Sequence, residues 1–198
     1  AWAAAAERGA MESIRTFIAV PVPADVRAHL AECAQRMAPA FAASGVRWVA
    51  PDGIHLTLRF LGDTDPGLVA GLGAALRQVA GGQPPFALRL TGTGAFPNPR
   101  RPWVVWVGLE DPLQLLVGLQ RQVERLARDA GWGPERRAFT PHLTLGRVRE
   151  GASPLVADWL AAVAPLPVAV SQIELIESRL GPGGATYRTL EVAALGGA

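Results

Sequence analysis

An α+β architecture, built as two duplicated α/β lobes related by a pseudo-two-fold axis around a central cleft, is predicted by three features of the sequence. Helical and strand periodicities are interleaved along the whole chain, which excludes an all-α or all-β domain. The tetrapeptide His-Leu-Thr-Leu occurs twice, at His55–Leu58 and His142–Leu145, once in each half. Each half also carries long amphipathic helical patterns beside strand-like runs, although the halves are otherwise dissimilar.

The elements follow in order. Arg15–Val20 is a β-prone apolar run stopped by Pro21 and Pro23. Pro23 opens a helix expected to reach about Phe41, with Val26, Leu30, Cys33, Ala34 and Met37 on one face and Pro39 ending or kinking it slightly early. After a turn at Ser44-Gly45, Val46–Val49 forms a short strand, Pro51-Asp52-Gly53 a turn, and Ile54–Leu61 a strand. Pro66 opens a second helix to about Ala80, closed by Gly81-Gly82. Phe86–Thr93 and Trp103–Leu109 are strands joined by an arginine- and proline-rich link, Phe96–Pro102. Asp111-Pro112 starts a third helix ending at Gly131. A loop leads to the strand His142–Arg149, then come a short helix over about Pro154–Val163 and strands Ala169–Ser178 and Tyr187–Val192. Residues 1–10 are expected to be a leader or cloning remnant, disordered, with Met11 the natural start and residues 11–198 forming the single bilobal domain.

Composition removes several function classes. Net charge is +2, yet all 19 basic residues are arginine, a bias that a GC-rich genome explains. Without lysine there is no Walker-type phosphate loop and no covalent lysine intermediate. The single cysteine, Cys33, allows neither an internal disulfide nor a cysteine-based zinc site and suits a reducing, cytoplasmic setting. No apolar run is long enough for a membrane helix. No Gly-x-Ser-x-Gly elbow and no His-Glu-x-x-His motif is present, so neither a serine hydrolase nor a metal site is expected, and no cofactor.

Side chains on a strand alternate between faces. His55 and Thr57 therefore share one face and Leu56 and Leu58 the other; His142 and Thr144 repeat this against Leu143 and Leu145. If the strands meet, the leucines enter the core and four polar groups converge on one point. That set fits a phosphodiester. One imidazole takes a proton while the other gives one, and the threonine hydroxyls donate to oxygens that gain charge. Two of the three histidines lie in these motifs; His29, on the first helix, is expected to be structural.

Arg47-Trp48-Val49, Ile54 to Gly62, and Arg137 to Val148, together with Arg15 to Pro21 and the closing Ser178-Arg179-Leu180, Gly184 and Tyr187, resemble the signatures of the bacterial and archaeal 2′-5′ RNA ligases of the 2H phosphoesterase superfamily. These are also called RNA 2′,3′-cyclic phosphodiesterases. The resemblance spans Arg15 to Val192 and implies a metal-independent enzyme that opens a terminal 2′,3′-cyclic phosphate of RNA to a 2′-phosphate. It implies His55 as proton donor to the leaving 3′ oxygen, His142 as base for water, and Thr57, Thr144 and Arg147 as phosphate ligands. Gly146 departs mildly from relatives that carry alanine or leucine. Strict alternation turns Arg147, five residues after His142, away from that face; it reaches the phosphate only through a bulge or strand end. Arg137 is a further candidate, for the phosphate or for a salt bridge, and Phe17 and Tyr187 are base-stacking candidates, with core packing the favoured role for Phe17. Arg100, Arg101, Trp103 and Trp106 read equally as an RNA-contacting surface or as a solvated loop beside buried tryptophans. The expected partner is RNA bearing a cyclic phosphate end, and the expected state a monomer. Rival functions are ATP-independent 2′-5′ ligation by the reverse reaction and a non-catalytic RNA- or nucleotide-binding module.

Overall fold

The computed structural model describes residues 12–42, 45–149, 159–182 and 184–196. The elements are β1 (Ile14–Pro21), α1 (Ala24–Met37), β2 (Val46–Trp48), β3 (His55–Thr64), α2 (Val69–Gly81), β4 (Phe86–Asn98), β5 (Arg101–Glu110), α3 (Leu115–Asp129), β6 (His142–Val148), β7 (Pro167–Val170), β8 (Gln172–Gly181) and β9 (Gly184–Ala194). They form two antiparallel sheets, ordered β3-β1-β8-β9 and β2-β6-β5-β4-β7. The predicted duplication is visible in this order: β1-α1-β3 of one lobe corresponds to β5-α3-β6 of the other, with each motif strand next to its partner. The motif strands lie against each other, α3 packs on β3, and α1 packs reciprocally on β6.

The lobes are not the two halves of the chain. β8 and β9, from the C-terminal end, complete the first sheet, and β2, from the first half, is added to the second. The expected single strand Ala169–Ser178 is in fact two strands, β7 and β8, in different sheets, parted at Ser171. The burial phase slips there: Val168 and Val170 face the core, then Ile173 and Leu175. That extra residue is where the chain passes from one sheet to the other.

The helices follow their apolar faces. α1 buries Val26, Leu30, Cys33 and Met37, and its last turn tightens into a 3₁₀ turn over Ala38–Phe41 around Pro39. His29 sits on this helix beside Cys33, 3.7 Å from Sγ. A 3₁₀ turn, Pro66–Leu68, capped by the Asp65 carboxylate on the Gly67 N–H, leads into α2. α3 begins later than expected, at Leu115, because Gln114 adopts φ 55°. Asp111 still caps it from a distance, accepting the Leu115 and Val117 N–H groups at 3.0 and 3.1 Å. The link Phe96–Pro102 is largely strand, closed by a tight turn in which Asn98 Oδ1 accepts the Arg100 and Arg101 N–H groups. Of the expected helix Pro154–Val163, residues 159–163 are not helical; Trp159 is buried with its indole N–H on the Pro99 carbonyl, and Pro165 and Pro167 follow closely. The rest of that segment, the leader and Ser44 lie outside the described residues.

One buried charge joins the lobes. Arg59 on β3 is 8% exposed and lies 2.8 Å from Glu124 of α3 and 3.0 Å from Glu135. It also donates to the Gly133 carbonyl, while the Trp132 indole N–H bonds the Leu61 carbonyl at 2.7 Å. The loop ahead of the second motif is thus tied to the strand of the first. A guanidinium this buried needs such partners, since an unpaired buried charge is costly.

Gly146 has a packing reason. A Cβ there would stand 2.7 Å from Val46 Cγ1 and 2.9 Å from Trp48 Cε3, both on β2. Gly146→Val is expected to lever β2 off β6 and cost about 1–3 kcal/mol. Thermal unfolding would read this as a lowered Tm; an unchanged Tm would refute the packing argument.

Candidate active site

The core decides which face of each motif strand is polar. Leu56, Leu58, Leu143 and Leu145 are between 0 and 3% exposed and belong to one hydrophobic cluster. His55, Thr57, His142 and Thr144, on the opposite faces, are half-buried, the two strands lie against each other, and the charge of His142 reaches His55. The structure therefore brings together the four residues that alternation singled out.

Each imidazole is pinned the same way. His142 Nδ1 lies 2.8 Å from the Thr140 carbonyl, two residues upstream. A carbonyl only accepts, so Nδ1 carries the proton and Nε2 is left with a free lone pair. His55 hydrogen-bonds the backbone of Gly53, again two residues upstream. Aromatic rings complete the seats. His55 stacks on Phe17 at 4.6 Å with Tyr187 edge-on at 5.0 Å; His142 meets the edge of Phe96 at 5.0 Å and lies 6.4 Å from Trp106. Trp106 lies directly over Gly94, where no Cβ would fit.

Burial lowers the pKa of both histidines. His55 falls to about 4, first by desolvation, then by the charges of Arg147 and His142, against the opposing bond to Gly53. His142 is lowered by desolvation and by Arg147, against the bond to Thr140. Both rings are therefore neutral near pH 7. The charge of Arg147 reaches both rings.

A bulge sets the face of Arg147. Between β5 and β6, Val105 pairs with Gly146 but Trp106 with Thr144, so Leu145 is an extra residue and Arg147 returns to the face of His142 and Thr144. The first motif does the same: Ile18 pairs with Arg59 but Ala19 with Thr57, making Leu58 the extra residue. The fifth position after the histidine is then Phe60 in one lobe, 56% exposed, and Arg147, also exposed, in the other.

The remaining candidates divide. Tyr187, 39% exposed, stands beside His55 with an accessible ring. Phe17 is 2% exposed and covered by the imidazole, so it offers no face to a base; the expectation of base stacking by Phe17 is corrected to support of the His55 ring. Arg137 is exposed in the loop between α3 and β6, ahead of the second motif. Trp103, at 65% exposure, stands on the β4–β5 hairpin arm, while Trp106 lies inside the cleft.

Sequence reasoning passed over Phe96, which carries no motif, and Arg59, whose signal is a charge inside the apolar run Leu58–Leu61. Among the described residues no three His, Cys, Asp or Glu side chains are grouped as a metal site would require, and no helix is long and apolar enough to cross a membrane.

Comparison with known proteins agrees with this geometry. The profile of the LigT-like phosphoesterases matches twice, over residues 20–106 and 107–187. An RNA 2′,3′-cyclic phosphodiesterase of Methanothermobacter thermautotrophicus is 34% identical over 90% of this chain and 97% of its own length. One of Thermus thermophilus is 36% identical over 93% and 91%. The crystal structure of E. coli LigT complexed with 3′-AMP superposes with a TM-score of 0.74 at 30% identity, covering 93% of this chain and 99% of that one. With both halves matched in order and the two motifs facing one cleft, the chain belongs to the LigT-like phosphoesterase family of the 2H superfamily.

Proposed function

We infer that this chain is an RNA 2′,3′-cyclic phosphodiesterase, opening a terminal cyclic phosphate to a 2′-phosphate by proton exchange between His55 and His142 without metal. The observation that carries it is two equivalent imidazoles, each oriented by a backbone bond at the same offset, sharing a cleft with two threonines and Arg147. The names of the aligned relatives support the same substrate.

Water attacks phosphorus and the P–O3′ bond breaks. His142 takes the water proton through its free Nε2, and His55 gives a proton to O3′, leaving a 3′-hydroxyl and a 2′-phosphate. Thr57 and Thr144 donate to the non-bridging oxygens, and Arg147 balances their growing charge. Burial lowers the proton affinity of both rings, and the phosphate anion, once bound, favours the protonated form of the donor. Each turnover leaves His55 neutral and His142 protonated, and exchange with solvent resets them.

Removing either ring removes one proton transfer. His55→Ala and His142→Ala should each lower kcat by about 10²–10⁴-fold while substrate binding partly survives; cleavage of a cyclic-phosphate oligonucleotide that persists in the double variant excludes the assignment. Adding a 5′-hydroxyl oligonucleotide tests the reverse reaction, which would appear as a 2′-5′ joined product.

The pH profile has a definite sign. kcat/KM reports the free enzyme, whose histidines are shifted downward. The singly protonated form becomes scarcer with rising pH, so kcat/KM should fall from pH 6 to 8, approaching about tenfold per unit; a rise over that interval contradicts the scheme. Turnover should also be unaffected by EDTA, whereas loss on chelation with recovery on adding a divalent ion would show that metal takes part.

A further inference from the structure

A second arginine faces the cleft beside the first. Arg47 on β2 is the direct antiparallel partner of Arg147 on β6, and directly opposed residues project from the same face. Like charges in that position repel. Among the described residues neither has a carboxylate within salt-bridge distance. Both side chains are exposed.

The setting keeps the Arg47 guanidinium open. The turn of the β8–β9 hairpin passes over its stem at Gly184, which has φ 119° and no side chain; even a Cβ there would be 3.7 Å from Arg47 Cδ. β2 is held in register by Trp48 and Val46 packing over Gly146, so Arg47 is presented from a fixed edge. Farther along the same strand direction, Arg149 continues the pairing through its N–H to the Gly45 carbonyl.

The two arginines are not equivalent. Arg147 lies on the motif strand itself, turned by the bulge at Leu145 to the face of His142 and Thr144, and its charge lowers the pKa of both imidazoles. Arg147 thus belongs to the reacting phosphate, and Arg47 stands one strand outward, about 5 Å away by backbone spacing. Two cations side by side suit a ligand with adjacent negative groups, as the successive phosphates of an RNA chain are.

We propose that Arg47 binds the phosphodiester on the 5′ side of the terminal nucleotide and makes the enzyme prefer an RNA end over a free cyclic mononucleotide. This rests on the phosphodiesterase reading above. Its basis is charge and place: an exposed guanidinium paired in register with the arginine of the reacting pocket, on the strand leading out of the cleft.

The test compares a cyclic mononucleotide, 2′,3′-cyclic AMP, with a dinucleotide ending in a 2′,3′-cyclic phosphate, for wild type, Arg47→Gln and Arg47→Lys. Arg47→Gln should reduce kcat/KM for the dinucleotide about tenfold, mainly through KM, and affect the mononucleotide much less; Arg47→Lys should recover part of the loss. The salt dependence of dinucleotide cleavage should become shallower by about 0.7 in log–log slope, one phosphate contact on a single strand. Equal losses on both substrates, or none on the dinucleotide, overturn the proposal. A wild-type protein that cleaves neither substrate overturns the phosphodiesterase reading itself, and this one with it.

Discussion

The site depends on one constraint: two strands from different lobes bury their leucines in a common core. Leu56 and Leu58 on β3 and Leu143 and Leu145 on β6 occupy the same hydrophobic cluster. A strand has two faces, so burying the leucines leaves the histidines and threonines no direction but the cleft. Reciprocal packing of α3 on β3 and α1 on β6 holds the two strands side by side. Replacing any of these leucines by alanine would open a cavity beneath the catalytic face, a loss of about 2–5 kcal/mol at fully buried sites.

The same arrangement sets the chemistry. Seating the imidazoles on Phe17, Tyr187, Phe96 and Trp106 removes water and depresses their affinity for protons. It also sharpens their response to an anion, because charges interact more strongly where water is excluded. The bonds to Gly53 and Thr140 hold each ring at one tautomer and one angle, so little reorganisation remains at the moment of reaction. Arg59, itself buried and paired with Glu124 and Glu135, carries the orientation of one lobe's strand to the loop that delivers the other lobe's histidine.

Much of this was legible from the chain. The face of α1, its early end near Pro39, the strands bearing the motifs and the pairing of His with Thr all follow from local periodicity and from the stereochemistry of proline. For Arg147 regular alternation and the resemblance point to opposite faces, and only the resemblance favours the phosphate. The bulge at Leu145 decides for the cleft, and its counterpart at Leu58 shows the device belongs to both lobes. Phe17 is packed, as its alternative reading has it, but aromatic character alone does not reveal that His55 lies on top of its ring. The strand expected over Ala169–Ser178 proved to be two, as continuous β propensity does not say which sheet each residue joins.

The sequence by itself determined the chemistry on offer: two imidazoles and two hydroxyls at alternate positions on β-prone runs, no lysine, one cysteine. These are local properties, set by residue identity and by the two-residue period of an extended chain. Tertiary structure alone decided the convergence of the two motifs, the exchange of β2 and of β8–β9 between lobes, the bulges and the opposition of Arg47 to Arg147. Each of those depends on register between distant segments, which is chosen by how buried side chains pack across strands and so leaves no mark in the order of residues along either strand.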